Sequence, residues 1–338
     1  MYVSRWSIYF RSGCTNAFCF YQLNSEMKGR DHSLAYDLSN KLVVAVASSA
    51  LFDLTESDRV FRKEGESAYR IYQRKNEHVV LEPGVAFPLV KRLLSLNDED
   101  SQPIEVVLFS RNDPDTGLRV FNSIEHHGLK ISRAVFVAGE NPYKYLKAFN
   151  ASLFLSGNIK DVKEAIEHGL PAGHVTNTDY QDDEKDTELR IAFDFDAVLV
   201  DDASEKIYRE EGLKKFQEHE SKHGDKPMKE GPLRNFLINI SKIQQAELGK
   251  VKQNPTYKPK LRIAVCTARN APAHKRVVNT LRDWDVRVDE AFFLGGLDKG
   301  KVLEVYEPHI FFDDQTKHIK SISQKFPSVH VPYGIANE

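Results

Sequence analysis

Asp194 and Asp196 stand two residues apart, directly after the apolar run Ile191-Ala192-Phe193. Downstream come Thr267 after Ile263-Ala264-Val265-Cys266, Lys299 in the Gly-rich stretch Leu294–Lys301, and Asp313-Asp314 after Ile310-Phe311-Phe312. Each acid, hydroxyl or amine follows a strand-like run or opens a helix, and open parallel sheets bind ligands at those strand ends. A carboxylate at Asp194 can attack phosphorus and split one hard step into two. Asp196, on the same face of the strand, can protonate a leaving oxygen and then deprotonate the attacking water. Two carboxylates repel a phosphate dianion unless a cation intervenes. Asp194, Asp196 through its carbonyl, and Asp314 offer hard oxygens that suit Mg²⁺, with Asp313 beside them to orient a metal water or Lys299. Thr267 and the backbone N–H groups that follow, from Ala268 on, can hold a phosphoryl oxygen. Lys299 supplies a point charge for the equatorial oxygens. Each motif alone has a plainer reading: a solvated turn for Asp-x-Asp, a helix cap for Thr267 and for Asp313-Asp314. Their joint occurrence weighs against those. The stretch Leu294–Lys301 lacks the spacing of a Walker loop.

The set resembles the four motifs of the haloacid dehalogenase superfamily, whose members mostly transfer phosphoryl groups through an aspartyl-phosphate. The elements that must carry it are strands alternating with helices, which implies parallel βαβ units. The alternation occurs twice. At an offset of 147 positions Asp194 falls on Ala47, Asp196 on Ser49 and Glu211-Gly212 on Glu64-Gly65. At an offset of 157, Thr267 falls on Ser110, Lys299 on Pro142, Asp313 on Ser156 and Asp314 on Gly157. Lys301, Lys317 and Arg276 meet identical residues at Lys144, Lys160 and Arg119. Scaffold is shared, while the charged strand-end groups occur in one copy, which favours Lys299 over Lys301. Self-similarity of this kind signals duplication.

The expected architecture is α/β: two Rossmann-like, haloacid-dehalogenase-type halves related by internal duplication, each a parallel sheet flanked by helices. Residues 41–175 form a catalytically empty half, 176–189 a polar linker, and 190–338 the catalytic half with a small helical cap over about 203–260. Residues 1–40 read as a disordered or over-extended N-terminus, with Met27 a natural start. Phe236, Tyr208 and Phe216 are candidates to stack on a base, with core packing the competing role for each.

Composition sets the outer limits. The chain has 338 residues, 41% hydrophobic and 28% charged, an ordinary soluble balance. A net charge of -2 argues against a dedicated nucleic-acid surface. Three cysteines, Cys14, Cys19 and Cys266, make no disulfide framework and suit a reducing cytoplasm. No apolar run approaches the ~18 residues of a membrane span. The twelve histidines form no helical zinc pair, and His126-His127 and His219/His223 read as solvated surface.

From about Leu42 onward the chain also resembles the cytosolic 5'-nucleotidase type I family. The resemblance is carried by Ala50-Leu51-Phe52-Asp53-Leu54, Ser110-Arg111-Asn112-Asp113, Thr116 to His126, Tyr145-Leu146-Lys147-Ala148-Phe149, Phe193 to Leu199, Pro308 to Gln315 and Val331-Pro332-Tyr333-Gly334. Phe195 stands where Gly is common, which is tolerable if it points away from the crevice. The resemblance implies a Mg²⁺-dependent hydrolase of nucleoside 5'-monophosphates, AMP foremost, with homo-oligomerisation and a possible effector nucleotide. It makes Asp194 the nucleophile, Asp196 the acid/base, Thr267 and Lys299 phosphate holders and Asp314 the metal carboxylate. Arg111 and Asn112, at the strand end that matches Thr267, are candidates to recognise part of the substrate or an effector. Two other readings are a phosphatase of another small phosphomonoester and a non-enzymatic nucleotide-binding regulator.

Overall fold

The computed structural model describes residues 36–183 and 185–338. The expectation for residues 1–40 therefore falls almost wholly outside the described residues, as do Met27, Cys14 and Cys19. The strands are β1 (Leu42–Ala47), β2 (Ile104–Ser110), β3 (Arg133–Phe136), β4 (Ala151–Ser156), β5 (Ala172–Thr176), β6 (Leu189–Phe193), β7 (Leu261–Thr267), β8 (Glu290–Phe293), β9 (Ile310–Asp313) and β10 (Ser328–His330). The helices are α1 (Ser48–Leu51), α2 (Thr55–Lys75), α3 (Phe87–Leu94), α4 (Leu118–His126), α5 (Ile159–Glu167), α6 (Ala203–Lys222), α7 (Arg234–Gln253), α8 (His274–Asp283), α9 (Lys299–Tyr306) and α10 (Thr316–Ile322).

All ten strands join one sheet in the order β3-β2-β1-β4-β5-β10-β9-β6-β7-β8. The order β3-β2-β1-β4-β5 recurs as β8-β7-β6-β9-β10. Within each set of five, neighbours run parallel. The two sets meet antiparallel, with Ser328 opposite Thr176, Val329 opposite Val175 and His330 opposite His174. The expectation of two separate parallel sheets is corrected here. The joining strands, Ala172-Gly173-His174-Val175-Thr176 and Ser328-Val329-His330, are short and mix apolar with polar residues, so no apolar run announces them. One consequence governs the site. The strand C-termini of β1–β5 and of β6–β10 lie at opposite rims of the sheet.

Periodicity explains the layers. Helix α3 buries Leu89, Val90 and Leu93, and α7 buries Phe236, Leu237 and Ile240, each set spaced to share one face. Both join a single core on one side of the sheet, shared by Val44 and Leu108 of the first half and Ile191, Phe193 and Phe312 of the second. Full burial of such side chains contributes about 1.5–3 kcal/mol each. The opposite side holds separate clusters, Val43, Phe109, Phe154 and Val162 in one half, Ala264, Leu303, Tyr306 and Phe311 in the other. Within the stretch 203–260 the apolar face of α7 makes that helix a layer of the core, whereas α6 buries only Ser204 and Glu220. The expected linker 176–189 is tied to α3. Buried Arg92 donates to Asp182 at 2.7 Å and to the carbonyls of Asp183, Asp186 and Glu188.

Helices α2 and α6 each contain one non-helical residue, Gly65 (φ 82°, ψ −178°) and Gly212 (φ 81°, ψ 177°). This backbone region is essentially confined to glycine. A Cβ at either position would meet nothing within 4 Å, so the dihedrals rather than the space require glycine. At the offset of 157 the pairs Gly128/Asp285, Ala138/Gly295, Gly139/Gly296 and Asn150/Glu307 all have positive φ.

Candidate active site

Phe193 of β6 and Phe312 of β9 lie in register, their rings stacked with centroids 5.1 Å apart. This apolar floor fixes the residues that follow. The Asp194 N–H donates to the Phe312 carbonyl at 2.7 Å, so the ladder runs one residue beyond β6 and sets Asp194 beside Asp313. Phe195 is fully buried in the shared core and points away from the crevice, as its place in the motif demands. Lys299 opens α9, whose first turn is capped by Asp298 accepting from the Gly300 N–H at 2.8 Å. Its Nζ lies 2.8 Å from Asp194 Oδ2 and 2.7 Å from Asp313 Oδ2. Thr267 ends β7, buried, its Oγ1 accepting from the Arg269 N–H at 3.2 Å, and Ala268 is exposed next to it. The rival Lys301 is exposed.

Asp194, Lys299, Asp313 and Asp314 are all at most 5% exposed. Burial, with the negative charges of Asp313 and Asp196, pushes the Asp194 carboxyl up to about 7 despite Lys299. Burial and the charges of Asp194, Asp313 and Glu205 push Asp314 up to about 10. Burial works on Asp313 in the same direction, but Lys299 and His318 outweigh it and hold that carboxyl below its ordinary range. His318 Nδ1 lies 3.1 Å from Asp313 Oδ2. The Asp314 carbonyl accepts from Asn337 Nδ2 at 3.0 Å and lies 2.9 Å from His330 Nε2, yet both its carboxylate oxygens are buried without a hydrogen-bond partner. Among the described residues, Asp194, Asp313 and Asp314 present carboxylate oxygens within 4.8 Å of one another. Two orphaned buried oxygens in such a cluster fit a small, hard divalent cation.

The carboxylate of Asp196 lies outside that cluster. Arg269 grips it with Nε to Oδ2 at 2.7 Å and a second nitrogen to Oδ1 at 2.6 Å. Arg269 is 3% exposed and also binds Glu220 of α6, which is fully buried and further held by Arg276 at 2.9 Å and Ser204 at 2.9 Å. Sequence reasoning missed Arg269 and Glu220. Arg269 is two residues beyond Thr267, where a signal existed. Glu220 sits among the charges of α6 next to His219, read as surface, and nothing local marks it as buried. His127 is half-buried rather than solvated: its ring stacks 5.7 Å from Phe52 and lies 5.0 Å from Phe87.

Arg111 and Asn112 are not brought to this crevice. They follow β2, at the opposite rim. Arg111 is paired with Asp161 and donates to the Gly139 carbonyl at 2.6 Å. Asn112 Oδ1 accepts from the Tyr69 hydroxyl at 2.8 Å, while its Nδ2 is buried without a partner. Where the other half has Asp196 and Asp314, this one has Ser49 and Gly157, whose N–H donates to Ser49 Oγ at 3.3 Å; close by, Ser48 Oγ sits 3.1 Å from Ser110 Oγ, the residue that matches Thr267.

No helix among the described residues is long and apolar enough to cross a membrane. A family model described as 5'-nucleotidase matches residues 34–338. The human cytosolic 5'-nucleotidase 1B is similar, 36% identical over an alignment of 298 residues, with 86% of this chain and 48% of that protein covered. The chain thus spans about half the length of that relative. The match runs through both halves of the sheet and the whole acid–lysine cluster, and on it the chain belongs to the 5'-nucleotidase family.

Proposed function

We propose that this protein is a Mg²⁺-dependent hydrolase that converts nucleoside 5'-monophosphates, AMP foremost, to nucleoside and phosphate through an aspartyl-phosphate on Asp194. One observation carries the reading: Asp314 keeps two buried, unpartnered oxygens next to Asp194 and Lys299. A purely structural cluster would satisfy them; one built for a cation and a phosphoryl group leaves them open. The same cluster weighs against a non-enzymatic regulator. Its family membership favours nucleotides over other phosphomonoesters.

Asp194 and Asp314, with the Asp196 carbonyl, would hold Mg²⁺, and Asp313 would stand beside it. When bound, the ion offsets the charge that the carboxylates set against a phosphate dianion. Asp194 attacks phosphorus, the bond to the ester oxygen breaks, and Asp196 gives that oxygen its proton. A water then attacks phosphorus, Asp196 takes its proton, and the bond from phosphorus to Asp194 breaks, restoring the carboxylate. Lys299 shields Asp194 beforehand and the acyl-phosphate afterwards. Thr267 and the Ala268 N–H hold a phosphoryl oxygen. Asp196 must turn away from Arg269 to reach the leaving oxygen, since both its oxygens are held in the bidentate pair.

The first half is in this reading a duplicated, catalytically empty copy. Support comes from the recurring strand order and the recurring glycine dihedrals at Gly65 and Gly212. Arg111 and Asn112 are then candidates for an effector nucleotide rather than for the substrate. A cytoplasmic location and a homo-oligomer complete the reading. The test is phosphate release from AMP, IMP, CMP and sugar phosphates with and without Mg²⁺. Release from the nucleotides that depends on the metal supports the proposal. Turnover of sugar phosphates alone, or wild-type turnover by Asp194→Asn, overturns it.

A further inference from the structure

We propose that Tyr208 and Phe216, on α6, form the platform on which the base of the substrate stacks. The inference rests on the nucleotidase reading and deepens it. The phosphoryl-binding groups are buried, so the rest of a bound phosphomonoester must extend towards the rim, and α6 is the helix at that rim. Two of its acids tie it there. Near its start, Glu205 Oε1 lies 3.5 Å from Gln315 Nε2, the residue after Asp314. Near its end, Glu220 binds Arg269, which grips Asp196. Tyr208 and Phe216 lie between these anchors.

The rings meet edge to face, with centroids 6.1 Å apart and planes at 81°. The Arg269 guanidinium carbon sits 5.3 Å from the Phe216 centroid, so one side chain joins the platform to the acid/base carboxylate. Tyr208 is 51% exposed and leaves ring surface free. A single exposed aromatic is ordinary; this one is linked through Phe216 and Arg269 to Asp196. A flat unsaturated ring of a nucleoside can stack there, whereas a sugar phosphate has nothing to offer it.

The other half supplies a matched comparison. At the offset of 147, Phe61 and Tyr69 meet with centroids 5.7 Å apart and planes at 87°, and Phe61 is also 51% exposed. If such pairs only brace their helices, truncating either should act alike. If Tyr208 holds the base, only its loss alters the choice of substrate.

The experiment measures kcat/KM for AMP and for ribose 5-phosphate with Mg²⁺ in the wild type, Tyr208→Ala, Tyr208→Phe and Phe61→Ala. The ratio of AMP to ribose 5-phosphate should fall about tenfold in Tyr208→Ala, as expected for one lost base–aromatic stack. It should hold in Tyr208→Phe and in Phe61→Ala. An unchanged ratio in Tyr208→Ala, or an equal fall in Phe61→Ala, overturns the proposal. Calorimetric binding of adenosine to the wild type and to Tyr208→Leu gives a readout without turnover: weaker binding in the variant supports the platform, equal binding refutes it. Absence of AMP hydrolysis in the wild type would count against the nucleotidase reading, while the adenosine comparison still decides the platform.

Discussion

Arg269 and Asp196 face each other in a bidentate ion pair, with nitrogen–oxygen distances of 2.7 and 2.6 Å. The planar guanidinium matches both carboxylate oxygens at once, a geometry that lysine cannot reproduce. Behind it stands Glu220, fully buried and shared with Arg276. The pair offsets the negative charge of Asp196, which still helps to push the neighbouring Asp194 carboxyl up.

Removing the arginine leaves Glu220 buried with one cation fewer. Breaking a buried pair by deleting one partner costs about 3–5 kcal/mol. Arg269→Ala should therefore lose that much in urea denaturation, and Arg269→Lys less. A loss under ~1 kcal/mol in Arg269→Ala would show that the pair does not support the fold.

The acid cluster predicts a pH-dependent response to metal. Asp194 and Asp314 have folded pKa values raised above the unfolded ones, to about 7 and about 10. Their contribution to stability is full below the ordinary carboxylate range and is lost as pH rises through those folded values. The metal-free protein should lose stability from about pH 4 upward, and a divalent cation should restore more of it at pH 8 than at pH 6. Thermal unfolding with EDTA or with Mg²⁺ at the two pH values checks this. An equal Mg²⁺ shift at both would contradict it.

Asp314→Asn separates the cation site from the fold. The amide removes a buried acid whose oxygens have no partner and whose carboxyl is pushed up to about 10. The variant should be at least as stable as the wild type in EDTA at pH 8, and it should lose the gain in melting temperature that Mg²⁺ gives. A full Mg²⁺ gain would place the cation elsewhere.

His309 gives an acid-side prediction. It is buried, and burial with the charges of Arg92 and Arg190 pushes its imidazole down to about 4. Its Nδ1 accepts from the Arg190 N–H at 3.0 Å. A depressed folded value means stability present above the unfolded pKa of about 6.5 and lost as pH falls towards 4. His309→Asn should flatten the slope of stability against pH in that window, measured by urea denaturation at pH 4.5, 5.5 and 7.

The two rim glycines should behave alike. Ala at Gly65 or Gly212 meets no neighbour but must adopt a backbone region that disfavours a side chain. Each substitution should cost about 1–3 kcal/mol. Chemical denaturation of the two variants decides the matter; neutral values would mean that the helices reshape freely at these points.

Much of this was legible in the chain because strands buried on both faces read as apolar runs. Val43 to Val46 and Ile191 to Phe193 mark their strands, and the acids that follow mark the strand ends. Helix α4 falls at Leu118–His126, where its apolar spacing puts it. The joining strands β5 and β10 were not legible, because short segments such as Ser328-Val329-His330 take their strand form from their neighbours. The role of α7 was hidden for another reason. A helix that follows a catalytic strand can cover the site or pack beneath the sheet, and Phe236, Leu237 and Ile240 suit either. Arg269 shows a third limit: a buried ion pair is a fact of tertiary geometry, and its partner Glu220 lies 49 positions away.

The antiparallel seam between β5 and β10 has a last consequence for traffic. It turns one half end over end against the other, so the two mouths of the molecule look in contrary directions. In the proposed reaction, a nucleoside set free at the Asp194 mouth would have to cross bulk water to meet the other. Anything the serine-lined mouth holds would thus sense the surrounding concentration, not the output of its own neighbour.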